Sequence, residues 1–136
     1  MTKKTSANTY TYAIGRRKSA VATVKLQNGK GESIINKIAL EKYFPTKTNK
    51  ISYDKPFVIT KTQDKYHFES KILGGGKMGQ VEALALAISR ALVKINETFK
   101  PDLRAAGLLT VDSRVKERRM VGTGGKSRRQ KQSPKR

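Results

Sequence analysis

Apart from the ring of Pro134, no aliphatic or aromatic side chain follows Val121, and from Arg114 to Arg136 ten basic residues face a single acid, Glu117. Such a segment cannot bury enough apolar surface to offset the entropy of ordering its chain. Any core must come from the residues before Arg114. The expected organisation is a globular body over 1–113, with a flexible N-terminus over 1–9, and an extended basic tail over 114–136. A body of about 100 residues can hold a modest core without a metal or a disulfide.

The body is basic as well. Thirty Lys and Arg against ten Asp and Glu leave the chain at +20. Such a chain repels itself unless a polyanion neutralises it. The candidates are nucleic acid, an anionic membrane and an acidic protein. No apolar run approaches the roughly 18 to 20 residues of a spanning helix. The opening residues MTKKTSANTY have neither the apolar stretch of a signal peptide nor the Arg-rich character of a transit peptide. A protein that works where it is made, with no membrane partner, is expected.

Catalysis finds no support. There is no cysteine, which excludes thiolate metal sites, disulfides and cysteine nucleophiles. His67 is the one histidine and has no second ligand beside it. The ten carboxylates are scattered, with no close pair in an apolar setting that would raise a pKa. No catalytic residue, metal, cofactor or small-molecule substrate is expected.

Periodicity outlines an α+β body. Residues 10–14 and 20–26 alternate with a period of two and read as strands around Gly15-Arg16-Arg17-Lys18. Gln27 to Gly31 is a turn by composition, and Ser33 to Asn36 a short strand. Ile38 to Phe44 reads as one or two helical turns ended by Pro45, Thr46 to Lys55 as a connection, and Pro56 to Thr60 as a strand. Gln63 to Lys65 suits a hairpin loop before a strand at Tyr66 to Leu73, with Phe68, Ser70 and Ile72 sharing a face. Met78 to Asn96 is the clearest element. Val81, Leu84, Ala85, Ile88, Ala91, Leu92 and Ile95 line one helical face, with Glu82, Ser89, Arg90 and Lys94 mostly opposite. A shorter helix is expected at Pro101 to Ala106, capped by Gly107.

Three features bear on function. Arg16, Arg17 and Lys18 are consecutive cations on a strand, so they must point both ways, and at least one lies near the core unless the backbone bends. Gly15 permits a bend or the close approach of another backbone. Guanidinium forks match phosphate oxygens, so phosphate contact is the functional reading; a charged strand edge that resists aggregation is the alternative. Gly74-Gly75-Gly76-Lys77-Met78-Gly79 lies between a strand and a helix. It fails as a nucleotide loop, because Lys71 stands where the first glycine would be and Met78 replaces the magnesium-binding hydroxyl. A glycine turn that lets an RNA phosphate near Lys77, or a turn that simply needs positive φ, remains. In the tail, Arg114, Lys116, Arg118, Arg119, Lys126, Arg128 and Arg129 offer phosphate contacts, and from Ser127 onward there is no aromatic ring to stack on a base.

With these blocks in view, the chain resembles the bacterial-type small-subunit ribosomal protein nine family. The resemblance rests on Gly15 to Ala22, on GGGKMGQVEALALAISRALVKIN from Gly74, and on LRAAGLLTVDSRVKERRMVGTGGKSRR with the terminal Lys135-Arg136. It implies a ribosomal S5 domain two-like fold, a mixed sheet with packed helices and a left-handed βαβ crossover. It implies a place in the head of the small subunit among neighbouring head proteins. It also implies rRNA contacts along the tail, and contact of Lys135 and Arg136 with the peptidyl-site tRNA. Asn36-Lys37-Ile38-Ala39 departs from the family's usual Asn-Gly-x-Pro; Gln130-Lys131 replaces its Ala-Pro, and Ser133-Pro134 precedes the last two residues. The function expected is that of a structural protein of the small ribosomal subunit in a bacterial cytoplasm, or in an organelle that encodes its own copy. A free RNA chaperone or nucleoid-like protein is the alternative.

Overall fold

The computed structural model describes residues 10–119 and Val121; the expected flexible N-terminus over 1–9 lies outside that range. Strands β1 (Tyr10–Arg17) and β2 (Ala20–Asn28) form a hairpin closed by Lys18 and Ser19. Two short strands, β3 (Ile34–Ile35) and β4 (Ile38–Ala39), form a second hairpin. Helix α1 (Leu40–Tyr43) and helix α2 (Lys47–Thr60) lead to β5 (Tyr66–Leu73). Helix α3 (Lys77–Ile95), a 3-10 turn (Glu97–Phe99) and helix α4 (Lys100–Ala105) follow. The sheet order is β1-β2-β5-β3-β4, with β3 and β5 parallel and the other pairs antiparallel. The body is therefore α+β with a mixed sheet.

Alternation decides which sheet face is covered. Ala13 and Gly15 of β1, Ala20, Ala22, Val24 and Leu26 of β2, and Phe68, Ser70 and Ile72 of β5 point inward. Helix α3 packs across β1 and β2 on that face. The inward residues of β1 are small because α3 comes very close: a Cβ on Gly15 would sit 2.0 Å from the Ala83 carbonyl oxygen. Larger residues of β1, Tyr10 and Tyr12, occupy the opposite, open face. Gly15 thus serves the close approach of a backbone.

Helix α3 is buried on more than the expected stripe. Every residue from Ala83 to Ser89 is buried, and Ser89 is 0% exposed. Its Oγ donates to the Ala85 carbonyl at 2.8 Å, so the hydroxyl is satisfied within the helix. The expectation that Ser89 lies on a solvent face is corrected, for a physical reason: α3 is packed by α2 as well as by the sheet, which leaves it less solvent-facing surface than a single-sided helix would have. The connection expected at Thr46 to Lys55 and the strand expected at Pro56 to Thr60 together form α2. Pro56 lies inside that helix, which ends on Lys61 in the left-handed region, with the Lys61 and Thr62 amides closing onto Val58 and Phe57. Tyr53, Pro56 and Phe57 of α2 are buried, and Phe57 stacks on Phe68 at 6.4 Å. Fully burying a side chain of this size stabilises by roughly 1.5–3 kcal/mol, which outweighs the poor helix propensity of this segment.

A second correction concerns residues 38–44. Only Leu40–Tyr43 is helical, and Ile38–Ala39 pairs with β3. The intervening turn puts Asn36 at φ 48 and Lys37 at φ 68, both left-handed as a type I′ hairpin requires. Asn36 then holds β5 as a third strand residue would: its side chain donates to the Ile72 carbonyl at 2.9 Å and accepts from the Ile72 amide at 3.0 Å. The short helix expected near Pro101 is α4, ended by Gly107 at φ 73.

Candidate nucleic-acid interface

Consecutive strand residues point to opposite faces, and Arg16 and Arg17 at the end of β1 obey that rule. Arg16 is exposed. Arg17 turns toward the helical layer, where its side chain is only 16% exposed. Its Nε meets Glu82 Oε2 of α3 at 2.5 Å, Nη2 lies 3.3 Å from Asp112 Oδ2, and Nη1 donates to the Arg114 carbonyl at 3.4 Å. Arg17 therefore neutralises carboxylates and ties β1 to both α3 and the chain beyond α4. Lys18 sits in the hairpin turn at φ 51 and is exposed.

The glycine turn completes this corner. Gly74 and Gly75 adopt φ 71 and φ 67; a Cβ on Gly74 would lie 2.5 Å from the Ser19 carbonyl, and one on Gly75 would lie 2.9 Å from the Ala20 Cβ. Only glycine lets this turn rest against the β1–β2 turn. A groove results, lined by Arg17, Lys18, Ser19, Gly75, Gly76, Arg114, Val115 and Lys116. Lys77 does not face it. Its Nζ lies 3.6 Å from the Tyr43 ring centre and donates to the Tyr43 carbonyl at 3.4 Å.

Residues 111–119 form no helix or strand. Asp112 organises their start. It takes a forked contact from Arg114, with Nη2 to Oδ2 at 2.7 Å and Nε to Oδ1 at 3.0 Å, and accepts the Arg114 amide at 3.1 Å. These hydrogen bonds, together with the charges of Arg114 and Arg17, hold its carboxyl well below the usual carboxylate range. The Arg114 side chain is nevertheless 83% exposed. Lys116, Arg118 and Arg119 are exposed. Lys126, Arg128, Arg129, Lys135 and Arg136 lie outside the described residues.

The structure thus brings Arg17, Lys18, Arg114 and Lys116 together around one groove; Arg16 borders an adjoining hollow with Arg17, Asp112 and Arg114, and Lys77 lines neither. Reading the sequence missed Glu82 and Asp112, the acids that occupy Arg17; their spacing from residue 17 carries no local signal. His67 proves structural, with Nδ1 2.9 Å from the Gly29 carbonyl and Nε2 3.1 Å from Gln27 Oε1. Among the described residues no His, Asp or Glu cluster could hold a metal, and no helix is long and apolar enough to cross a membrane.

The model of a family described as ribosomal protein S9/S16 matches residues 15–136. The small ribosomal subunit protein uS9 of Ureaplasma parvum serovar 3 is 47% identical over 115 residues, covering 85% of this chain and 86% of that protein. The protein of the same name from Ureaplasma urealyticum serovar 10 is 48% identical over 115 residues, with the same shares covered.

Proposed function

The chain belongs to the ribosomal protein S9/S16 family, and we propose that it is a structural protein of the small-subunit head that grips rRNA phosphates in the groove between the glycine turn and residues 114–116. Members of this family are non-enzymatic ribosomal components, so the chain acts in translation as part of a ribonucleoprotein. The observation that carries the rRNA reading is the meeting of Lys18, Arg114 and Lys116 around Gly75 and Gly76. Among the described residues Lys18 and Lys116 have no carboxylate partner, which leaves their charges available to a polyanion. Arg17 serves the groove from beneath, as the tie that orients Arg114.

The finer parts of the reading rest on the family resemblance. They are the S5 domain two-like topology with its left-handed crossover, rRNA contacts by Arg118, Arg119, Lys126, Arg128 and Arg129, and contact of Lys135 and Arg136 with the peptidyl-site tRNA. Neighbouring head proteins, and residence in the ribosomes of a bacterial cytoplasm or of an organelle, belong to the same proposal.

The test is charge reversal at Lys18 and Lys116 together. The intact protein should co-sediment with small subunits after a moderate salt wash. Its affinity for small-subunit rRNA should fall steeply with salt, by about 0.7 to 0.9 in the log–log slope per phosphate contact. Lys18→Glu with Lys116→Glu should flatten that slope by about 1.4 to 1.8. An unchanged slope would remove the groove from the interface, and wild-type protein that sediments free of subunits would favour an RNA chaperone.

A further inference from the structure

The groove uses one corner of the body and leaves the open face of the sheet unexplained. Tyr10 and Tyr12 stand there 47% and 44% exposed, although a tyrosine in a strand ordinarily contributes packing area. Residues two apart on a strand share a face and lie about 7 Å apart. Lys25, opposite Tyr12 in the register, holds its Nζ 5.3 Å from the Tyr10 ring centre. Along the free edge of β1, Arg90 donates to the Ile14 carbonyl at 2.7 Å and Lys94 to the Tyr12 carbonyl at 2.7 Å. Among the described residues Lys25, Arg90 and Lys94 form no ion pair, although Glu69 stands opposite Lys25 in the next strand.

Two kinds of occupant can be told apart on this geometry. A partner strand adding to β1 needs its edge carbonyls, and Arg90 and Lys94 already hold two of them. What stays accessible is the ring faces, bordered by uncompensated cations. Aromatic rings beside a cationic track are the two parts of a single-stranded nucleic-acid platform. We propose that the Tyr10–Tyr12 face takes unpaired RNA nucleotides, stacking one base on Tyr12 and leading the phosphates past Lys94 and Arg90. The proposal rests on the rRNA-binding reading above and adds a base contact to what is otherwise phosphate recognition.

The experiment uses the full chain and its Tyr12→Ala, Tyr10→Ala/Tyr12→Ala and Tyr12→Phe variants, each checked for native circular dichroism. Binding is measured at one salt concentration to an unstructured RNA oligonucleotide, to an abasic oligonucleotide of equal length and to an RNA duplex. A base stack supports roughly a tenfold change or more in affinity. Tyr12→Ala and the double variant should therefore weaken the single strand about tenfold while changing the abasic strand and the duplex less than twofold. Tyr12→Phe, which keeps the ring, should match wild type. Equal loss on all three ligands would overturn the proposal, as would no loss on any. So would self-association of the RNA-free protein that Tyr12→Ala abolishes, which would make a second copy the occupant. Steeply salt-dependent binding that ignores Tyr12 would leave the phosphate groove standing and sink the stacking alone, whereas wild-type protein that binds none of the ligands would sink both.

Discussion

At the scale of single residues, left-handed backbone positions carry much of the information. Asn36 is suited to its φ of 48, because its side chain bonds the β5 backbone in both directions. Lys37 has no such compensation at φ 68. A lysine there bears the steric cost that makes glycine the usual second residue of a type I′ turn. Lys37→Gly should therefore raise stability by about 0.5–1 kcal/mol, the relief of left-handed strain less the added freedom of the unfolded chain. Urea denaturation of the two proteins measures this, and a less stable glycine variant would contradict the turn assignment. The same position shows why the β3–β4 hairpin was hard to read. Its strands are two residues each, and a lysine stands where the sequence signal would be glycine.

At the scale of elements, the hydrophobic period was a reliable guide wherever one element faced one partner. It placed β1, β2, β5, the apolar stripe of α3 and the short helix before Gly107, and alternation in β5 set its inward face correctly. It failed at α2. That helix contains Pro56 and a run of β-branched residues, both of which argue locally against helix, and packing on α3 overrides them. Missing α2 also concealed that α3 packs on more than the sheet. The groove was legible in part. Three consecutive cations on a strand required one to turn inward, but the acids that receive it lie at residues 82 and 112 and only the folded chain brings them there. Burial on both sides of α3 has a measurable consequence. Ile88→Asp and Ser89→Asp should each cost about 3 kcal/mol or more, because each puts an unpaired carboxylate into the core. Ser89→Ala should cost under about 1 kcal/mol, since the carbonyl it releases keeps its helical partner. A Ser89→Asp protein as stable as wild type in thermal unfolding would mean that this face of α3 is not enclosed.

At the scale of the whole molecule, the central question is how the folded body passes into the basic segment that begins at Arg114. The handover is electrostatic. Arg17, largely buried between α3 and residues 112–114, joins the sheet to Glu82, Asp112 and the Arg114 backbone. Asp112 is the titratable member, and its folded-state pKa lies below the ordinary carboxylate value of 3.8. A lowered pKa means that the ionised form is favoured by the folded arrangement. The stabilisation is fully present above the unfolded pKa and is lost as the pH falls from there through the folded value. Between pH 5 and 8 the clasp should thus be constant, and it should open only under strong acid. Backbone relaxation of the Val115 and Lys116 amides can follow it. They should stay ordered with the body from pH 8 down past the ordinary carboxylate value of 3.8, where a free Asp would already be protonated. Asp112→Asn should instead give fast motion of these amides throughout that range, because the forked Arg114 contact uses both carboxylate oxygens. Since Arg114 and Lys116 border the groove, the same variant should bind rRNA more weakly despite gaining one unit of positive charge. Tighter binding would show that bulk charge, rather than the direction in which the clasp launches the chain, governs the interface.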